Sequence, residues 1–373
     1  MSPSDLLHHP LKVGALTLAN RVIMAPMTRA RSEQPGDVPT TLNAEYYGQR
    51  AGAGLIISEG MPISPSGKGY AFTPGIYTDA QQAGWKRVTD RVHAKGGLMA
   101  AQLWHVGRIS HHSVLAPSAA PLAPSAIRAR SKTFAFDDNG LPGMVDCDMP
   151  VAMDKDDIVR VVEEFAQAAR RAMAAGFDMV ELHAANGYLL EQFLSVSTNQ
   201  RTDDYGGSLI NRARFVLEVI DAVIEAVGPE RVGIRLSPWC PPAVNDMDFQ
   251  VQAREIVLYL AAGLSARNIA YIHLAEWPSG AYSTAFRSAL RTAFEGAILV
   301  CGGYDQEKAA TVLEQGFADA VAFGTAFIAN PDLPERLARG APLAQADTNT
   351  FYGGGARGYT DYPYYSPIRA STP

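Results

Sequence analysis

The chain has 373 residues, with 32 Lys+Arg against 38 Asp+Glu, for a formal net charge of −6 at pH 7. Apolar residues make up 47% and charged residues 19%, which is a globular composition and excludes a disordered chain. The acidic balance argues against nucleic acid or an anionic membrane as partner. No stretch reaches the roughly 18 consecutive apolar residues of a membrane span, and residues 1–14 show no basic-then-apolar leader. Three scattered cysteines, Cys147, Cys240 and Cys301, form no CxxC pair. That usage fits a reducing, cytoplasmic setting without a disulfide framework.

In chain order, residues 11–18 with Gly14-Ala15 at their centre read as a small hairpin. The first β-rich run follows at 21–25. Further runs lie at 55–58, 98–104, 179–183, 232–236, 269–274, 297–300 and 320–323, each bounded by Gly or Pro or by a helical period. Between several of them stand amphipathic helices. In 157–175, Ile158, Val161, Val162, Phe165, Ala168, Ala169 and Ala172 recur at helical spacing, and Asp154, Asp156 and Asp157 place acid at the helix start. Stretches 212–227, 250–262 and 306–315 read alike. Residues 106–150, rich in Pro, Ser and Ala, form a long excursion after the third strand, and a loop of that length is usually functional. Eight strands alternating with helices predict parallel pairing with right-handed crossovers. A single (β/α)8 TIM barrel over 1–373 is the economical solution, with a doubly wound sheet as rival.

A barrel carries its chemistry at the C-terminal ends of its strands. Those ends hold Ala25-Pro26-Met27-Thr28, Glu59-Gly60, Gln102 with Trp104-His105, His183 with Asn186-Gly187-Tyr188, Arg235, Gly302-Gly303 and Gly324-Thr325. The glycines after the last two strands are either a phosphate cradle or simply tight turns. Arg235, inside a strand, needs a partner: Glu59, Glu181 or a ligand atom. His183 and Asn186 can both donate hydrogen bonds while neutral, as a carbonyl oxygen requires, or they tie strand to loop. Tyr188 adds a weak acid. Glu59 and Glu181 could form a hydrolytic carboxylate pair. The glycines of 353–358 match GxGxxG but follow no strand, so the dinucleotide reading fails. His8-His9 and His111-His112 read as solvated loop residues, because no metal-ligand spacing accompanies them.

Longer motifs are more specific. They are NRVIMAPMTR at 20–29, QLWHVGR at 102–108, HAANGYLL at 183–190, NQRTDDYGGS at 199–208, IANPDL at 328–333, FYGGG at 351–355 and GYTDYP at 358–363. In this order they resemble the Old Yellow Enzyme family of FMN-dependent ene-reductases over essentially the whole chain. The resemblance implies a (β/α)8 barrel with FMN held non-covalently over the strand ends. It puts Ala25, Pro26, Met27 and Thr28 against the flavin ring, and Gly60 and Gln102 at its pyrimidine edge. Arg235 would sit where negative charge develops, and Gly302, Gly303, Gly324 and Thr325 at the phosphate.

NADH or NADPH would reduce the flavin. His183 and Asn186, with His183 also beside the flavin, would hold the oxygen of an activated alkene, an α,β-unsaturated carbonyl or nitro compound. Hydride would pass from flavin N5 to Cβ, and Tyr188 would protonate Cα. Tyr70, Trp104, Trp277 and Tyr352 are candidate substrate walls. A monomer or homodimer, with small-molecule partners only, is expected. The chain departs from the family pattern in two respects, one being the unusually bulky and rigid loop Pro238-Trp239-Cys240-Pro241-Pro242 after the fifth strand. Many members carry Arg directly after the glycine of the last strand's turn, and here that position is Thr325, which predicts weaker FMN retention.

Overall fold

The structure, a computed structural model, describes residues 3–277 and 280–366. Eight parallel strands form a closed ring: β1 (Val22–Met24), β2 (Leu55–Ile57), β3 (Met99–Trp104), β4 (Met179–Ala184), β5 (Val232–Leu236), β6 (Tyr271–Ala275), β7 (Ala297–Cys301) and β8 (Ala320–Phe323). Each pairs with the next, and β8 closes on β1 with Ala322 opposite Ile23. The open-sheet rival is thereby excluded, and the (β/α)8 barrel is borne out. Among the described residues no helix is long and apolar enough to cross a membrane.

Strand alternation sorts the side chains. Val22, Met24, Ile56, Leu182, Ile234, Leu274 and Val300 point outward into a core shared with the helices. Ile23, Leu55, Ile57, Ala100, Met179, Tyr271 and Leu299 point inward and fill the lower half of the barrel. Gly233 makes room for one of them. A Cβ there would lie 2.2 Å from Tyr271 Cζ, so only bare backbone lets that ring fill the interior. The hairpin Leu11–Val13/Leu16–Leu18 plugs the bottom with Val13 and Leu18. Its turn passes so close that a Cβ on Gly14 would sit 2.0 Å from the Glu230 carbonyl oxygen, which accepts the Ala15 N–H at 3.0 Å.

The helix expected over 157–175 runs Lys155–Ala174, because Asp154 caps it two residues earlier and exchanges hydrogen bonds with Asp157. The one expected over 250–262 runs Ala253–Ser265; Gln252 before it is left-handed at φ 56° and sets its start. Helices Thr41–Gln49, Asp79–His93, Thr284–Ala293 and Leu333–Arg339 complete the outer layer and were not read from the sequence. The excursion is structured. It carries an antiparallel hairpin, Lys132–Phe136 with Pro142–Asp146, and a parallel pair, Leu122–Ala123 with Val151–Ala152. Its Ala129 and Cys147 pack on Trp104, Val106 and Ile109, behind Tyr70 and Tyr188.

A late segment is strapped to the loop after β1. Arg29 donates to the carbonyl oxygens of Phe351 and Gly358, both at 2.9 Å, and Arg31 to that of Thr350 at 2.8 Å. Tyr359 stacks on Tyr46 with ring centroids 4.0 Å apart.

Candidate active site

The top of the barrel holds two cavities that share Arg235 as a wall. The larger, about 560 Å³, is lined by Ala275, Glu276, Trp277, Cys301, Gly302, Gly303, Tyr304, Asp305 and residues 322–326. The smaller, about 90 Å³, is lined by Pro26, Thr28, Gly60, Gln102, Trp104, His183, Asn186 and Tyr188. Most of the residues singled out at the strand ends therefore converge on one surface.

Beneath it lies a polar layer. Glu181 accepts from Gln102 Nε2 at 2.8 Å and meets His273 Nδ1 at 2.9 Å. Burial works to raise the Glu181 carboxyl, but His273, then Arg235 and Gln102, more than offset it and hold it below the ordinary range. Burial likewise opposes the charge on His273, and Glu181 wins, raising the imidazole above 6.5. One carboxylate thus faces both His273 and Arg235 in the dry interior. Arg235 is 7% exposed, its Nε has no partner among the described residues, and its Nη2 makes a long contact of 3.8 Å to Cys301 Sγ. The choice left open between ion pair and ligand is settled in part: no direct salt bridge joins Arg235 to Glu59 or Glu181.

The hydrolytic reading of Glu59 and Glu181 fails on the same ground. Glu59 is fully buried and accepts the N–H groups of Arg29 and Ala30, both at 3.1 Å, with the Tyr47 hydroxyl at 3.4 Å. It fixes the loop after β1, and Glu181 is occupied by Gln102 and His273. Neither carboxylate lines a cavity.

The turn after β4 builds the other wall. Asn186 is left-handed at φ 57° and Gly187 follows at 79°, a conformation Asn tolerates better than most residues. Ser237 Oγ accepts the Asn186 N–H at 2.7 Å and donates to Glu191 Oε1 at 2.5 Å, while Glu191 Oε2 accepts the Gly187 N–H at 2.6 Å. Asn245 Nδ2 donates to the Asn186 carbonyl at 2.8 Å. Burial raises the Glu191 carboxyl to about 8. With its backbone clamped, Asn186 leaves its side-chain Oδ1 unpaired, and His183 leaves Nδ1 unpaired. Burial, then Arg235 and His273, push the His183 imidazole well below 6.5, so it stays neutral. Burial raises the Tyr188 phenol above 10, against hydrogen bonds from Tyr70 and Asn245, so it keeps its proton. The Tyr70 and Tyr188 hydroxyls are 3.2 Å apart, and Tyr70 stacks on Trp104 at 5.4 Å.

Not every expected residue lines a cavity. Ala25 is buried inside the barrel, and Met27 packs partly into the outer core with its sulfur near Gly324. Trp277 is 52% exposed and lies on the larger cavity, on the Gly302–Gly324 side and away from Tyr70 and Trp104. Tyr352 is 65% exposed and lines neither. Sequence reading missed Glu276, the residue directly after β6. It pairs with Arg287 at 2.6 Å, accepts from Tyr304 at 2.7 Å and holds the Gly280 N–H at 2.8 Å. The rule that singled out Glu59 at a strand end would have found it.

The cavities fit a flavin mononucleotide. Glycine clears the approach at two points: a Cβ on Gly60 would lie 2.6 Å from the Trp104 ring, and one on Gly302, at φ 146°, would lie 2.2 Å from the Glu276 carbonyl oxygen. The unpaired Arg235 Nε suits an electron-rich ring edge. Near Thr325, which is exposed, the larger cavity has no cation other than Arg235.

A closed barrel with a cofactor-sized cavity, a buried cation and neutral donors over its strand ends defines a barrel oxidoreductase site. Residues 6–344 match the NADH:flavin oxidoreductase / NADH oxidase family. The chain is 44% identical over 369 residues to 12-oxophytodienoate reductase 1 of Oryza sativa subsp. japonica, covering 96% of this chain and 93% of that one. It is 41% identical over 367 residues to a probable flavin mononucleotide-dependent alkene reductase of Leishmania infantum, covering 96% and 98%. The solved structure of morphinone reductase in complex with tetrahydroNAD superposes with a TM-score of 0.93 at 52% identity, covering 97% and 98%. The chain belongs to this family, that of the Old Yellow Enzymes, and is a flavin-dependent oxidoreductase.

Proposed function

We propose that the protein is an ene-reductase that uses NADH or NADPH to reduce the C=C bond of α,β-unsaturated carbonyl or nitro compounds. The observation that carries this reading is the shared wall of His183, Asn186, Tyr188 and Arg235, with the imidazole neutral and the phenol protonated. FMN, when bound, would supply hydride-transfer chemistry between the nicotinamide and the substrate's C=C bond. Pro26, Thr28, Gly60 and Gln102 would hold its ring, backed by Ala25 and Met27. Gly302, Gly303, Gly324 and Thr325 would take its phosphate. Arg235, near the His273–Glu181 pair, would stabilise negative charge at the ring edge.

His183 and Asn186 donate hydrogen bonds to the substrate's carbonyl or nitro oxygen. Because His183 is neutral, it polarises without giving up its proton. Tyr188 delivers its proton to Cα, and Tyr70 hydrogen-bonds the phenolate oxygen left behind. Trp104 and Tyr70 wall the substrate on one side, with Tyr352 and Trp277 at the rim.

The test is a half-reaction experiment on the Y188F variant. The purified protein carries a flavin band near ~450 nm, which the nicotinamide bleaches at close to the normal rate. Reoxidation by cyclohexenone slows by about 100-fold or more. Equal slowing of both half-reactions would remove Tyr188 as proton donor. A chain that never acquires the flavin band would overturn the function.

A further inference from the structure

Three metal-ligating side chains meet where the excursion leaves the barrel and where it returns. His111 and His112 stand near its start, and Asp148 near its end, 36 residues beyond His112. His112 Nδ1 is 2.9 Å from Asp148 Oδ2, and His111 Nε2 is 4.0 Å from Asp148 Oδ1. One ligating atom from each residue lies within 4.8 Å of the other two. Tetrahedral zinc, with bonds of about 2.1 Å, sets its ligand atoms roughly 3.4 Å apart. The observed separations bracket that spacing, so small side-chain rotations suffice.

The surroundings suit ligation. Asp148 also accepts the His112 backbone N–H at 2.6 Å. A carboxylate in its ionised form is the oxygen ligand such a site requires. His111 Nδ1 is 2.8 Å from Ser113 Oγ. The Ser113 backbone N–H also donates to His111 Nδ1 at 3.3 Å, so Ser113 anchors the inner edge of the ring and leaves Nε2 toward Asp148, the outer partner that bound imidazoles ordinarily have. The His112 side chain is 63% exposed, so an ion can enter and a fourth position stays open to water. The adjacent histidines read as solvated loop residues in the sequence because their third partner is distant along the chain. In the fold the His111 side chain is only 12% exposed.

We propose that His111, His112 and Asp148 bind one divalent cation of the zinc class and that the ion clasps the two ends of the excursion. Two imidazoles and one carboxylate favour zinc, cobalt or nickel over magnesium or calcium. The clasp has a consequence for the pocket. Cys147, next to Asp148, packs with Trp104, Val106 and Ile109 behind Tyr70 and Tyr188, so fixing Asp148 stiffens the backing of that wall. The proposal is independent of the reductase reading, since none of the three residues lines either cavity.

The test uses the full flavin-loaded chain, stripped with a chelator and titrated with zinc chloride by calorimetry. Expected are one zinc per chain at micromolar affinity and a zinc-dependent rise in Tm. Cobalt chloride should give the visible bands of a four-coordinate site. H112N and D148N each weaken zinc binding by about tenfold or more and abolish the Tm rise, with flavin absorbance unchanged. The intact flavin band certifies that the variants are folded. No binding at millimolar zinc, or affinity that survives either substitution, overturns the proposal.

Discussion

Arg235 shows how one side chain can be read two ways until its neighbours are known. In the sequence it is a charge inside a strand. In the fold it stands above the Glu181–His273 pair, and its Nε has no protein partner. Two further residues carry predictions. His183 is held neutral, with its pKa well below 6.5. Binding of an unsaturated ketone to the oxidised enzyme, followed by the flavin band, should therefore show no step attributable to His183 between about pH 5 and 8. A histidine with its ordinary pKa would produce one. The same depression has a stability sign: the buried neutral ring contributes above its ordinary pKa and loses that contribution as acid forces it to charge. Thr325 is the other. Among the described residues the cavity there offers a phosphate backbone N–H groups and a hydroxyl, and Arg235 is the one guanidinium in its lining. T325R should tighten FMN binding by about tenfold or more, the worth of a charge-assisted contact, measured by fluorescence titration of apoprotein. An unchanged dissociation constant would mean that Thr325 does not limit flavin retention.

The turn from β4 into the short helix Leu189–Leu194 is the element on which the donors depend. His183, Asn186 and Tyr188 were legible because they sit together after a strand. Their support was not legible, because Ser237 and Asn245 arrive from the far side of β5. Glu191 lies inside a recognised motif, yet its burial and its hydroxyl partner exist only in the fold. Its folded pKa of about 8 stands above the ordinary 4.5. Its contribution to stability is therefore complete below 4.5 and declines as pH rises toward 8. The unfolding free energy from urea titrations between those limits should fall by up to about 1.4 kcal/mol per pH unit for the wild type. E191Q, which resembles the protonated acid, should flatten that slope; an equal slope in both proteins would exclude Glu191 as its source. Strand positions were legible for the same reason in every case: buried parallel strands are short apolar runs closed by Gly, Pro or a polar residue. The missed helices Thr41–Gln49 and Thr284–Ala293 are short, and Thr40 and Ser283 cap them through contacts a periodicity count does not weigh.

At the scale of the whole molecule, the barrel divides into an apolar lower half and a polar upper one. The hairpin plug seals the first, and Gly14 is where seal and barrel touch. G14A places a Cβ against the Glu230 carbonyl in a left-handed turn at φ 50°. It should destabilise the protein by about 2 kcal/mol or more, read as a lower denaturation midpoint, with flavin binding at saturation preserved. A midpoint equal to wild type would show that the plug is dispensable. The excursion, read in the sequence as one long loop, proved to carry a hairpin, with Ala129 and Cys147 just outside its strands backing the Tyr70–Tyr188 pair. Composition hid this, because its apolar residues are spread across two short strands and pack on Ala71, Phe72 and Val114.

The strap of residues 350–359 over Arg29 joins positions 321 to 329 residues apart in sequence. The ring itself closes only when β8 meets β1. A ribosome delivers the loop bearing Pro26 and Thr28 more than three hundred residues before the partners that hold Arg29. This surface therefore cannot assemble progressively as the chain is made. Its first half must wait, with the apolar faces of β1 and β2 uncovered, until β8 and the strap have both emerged.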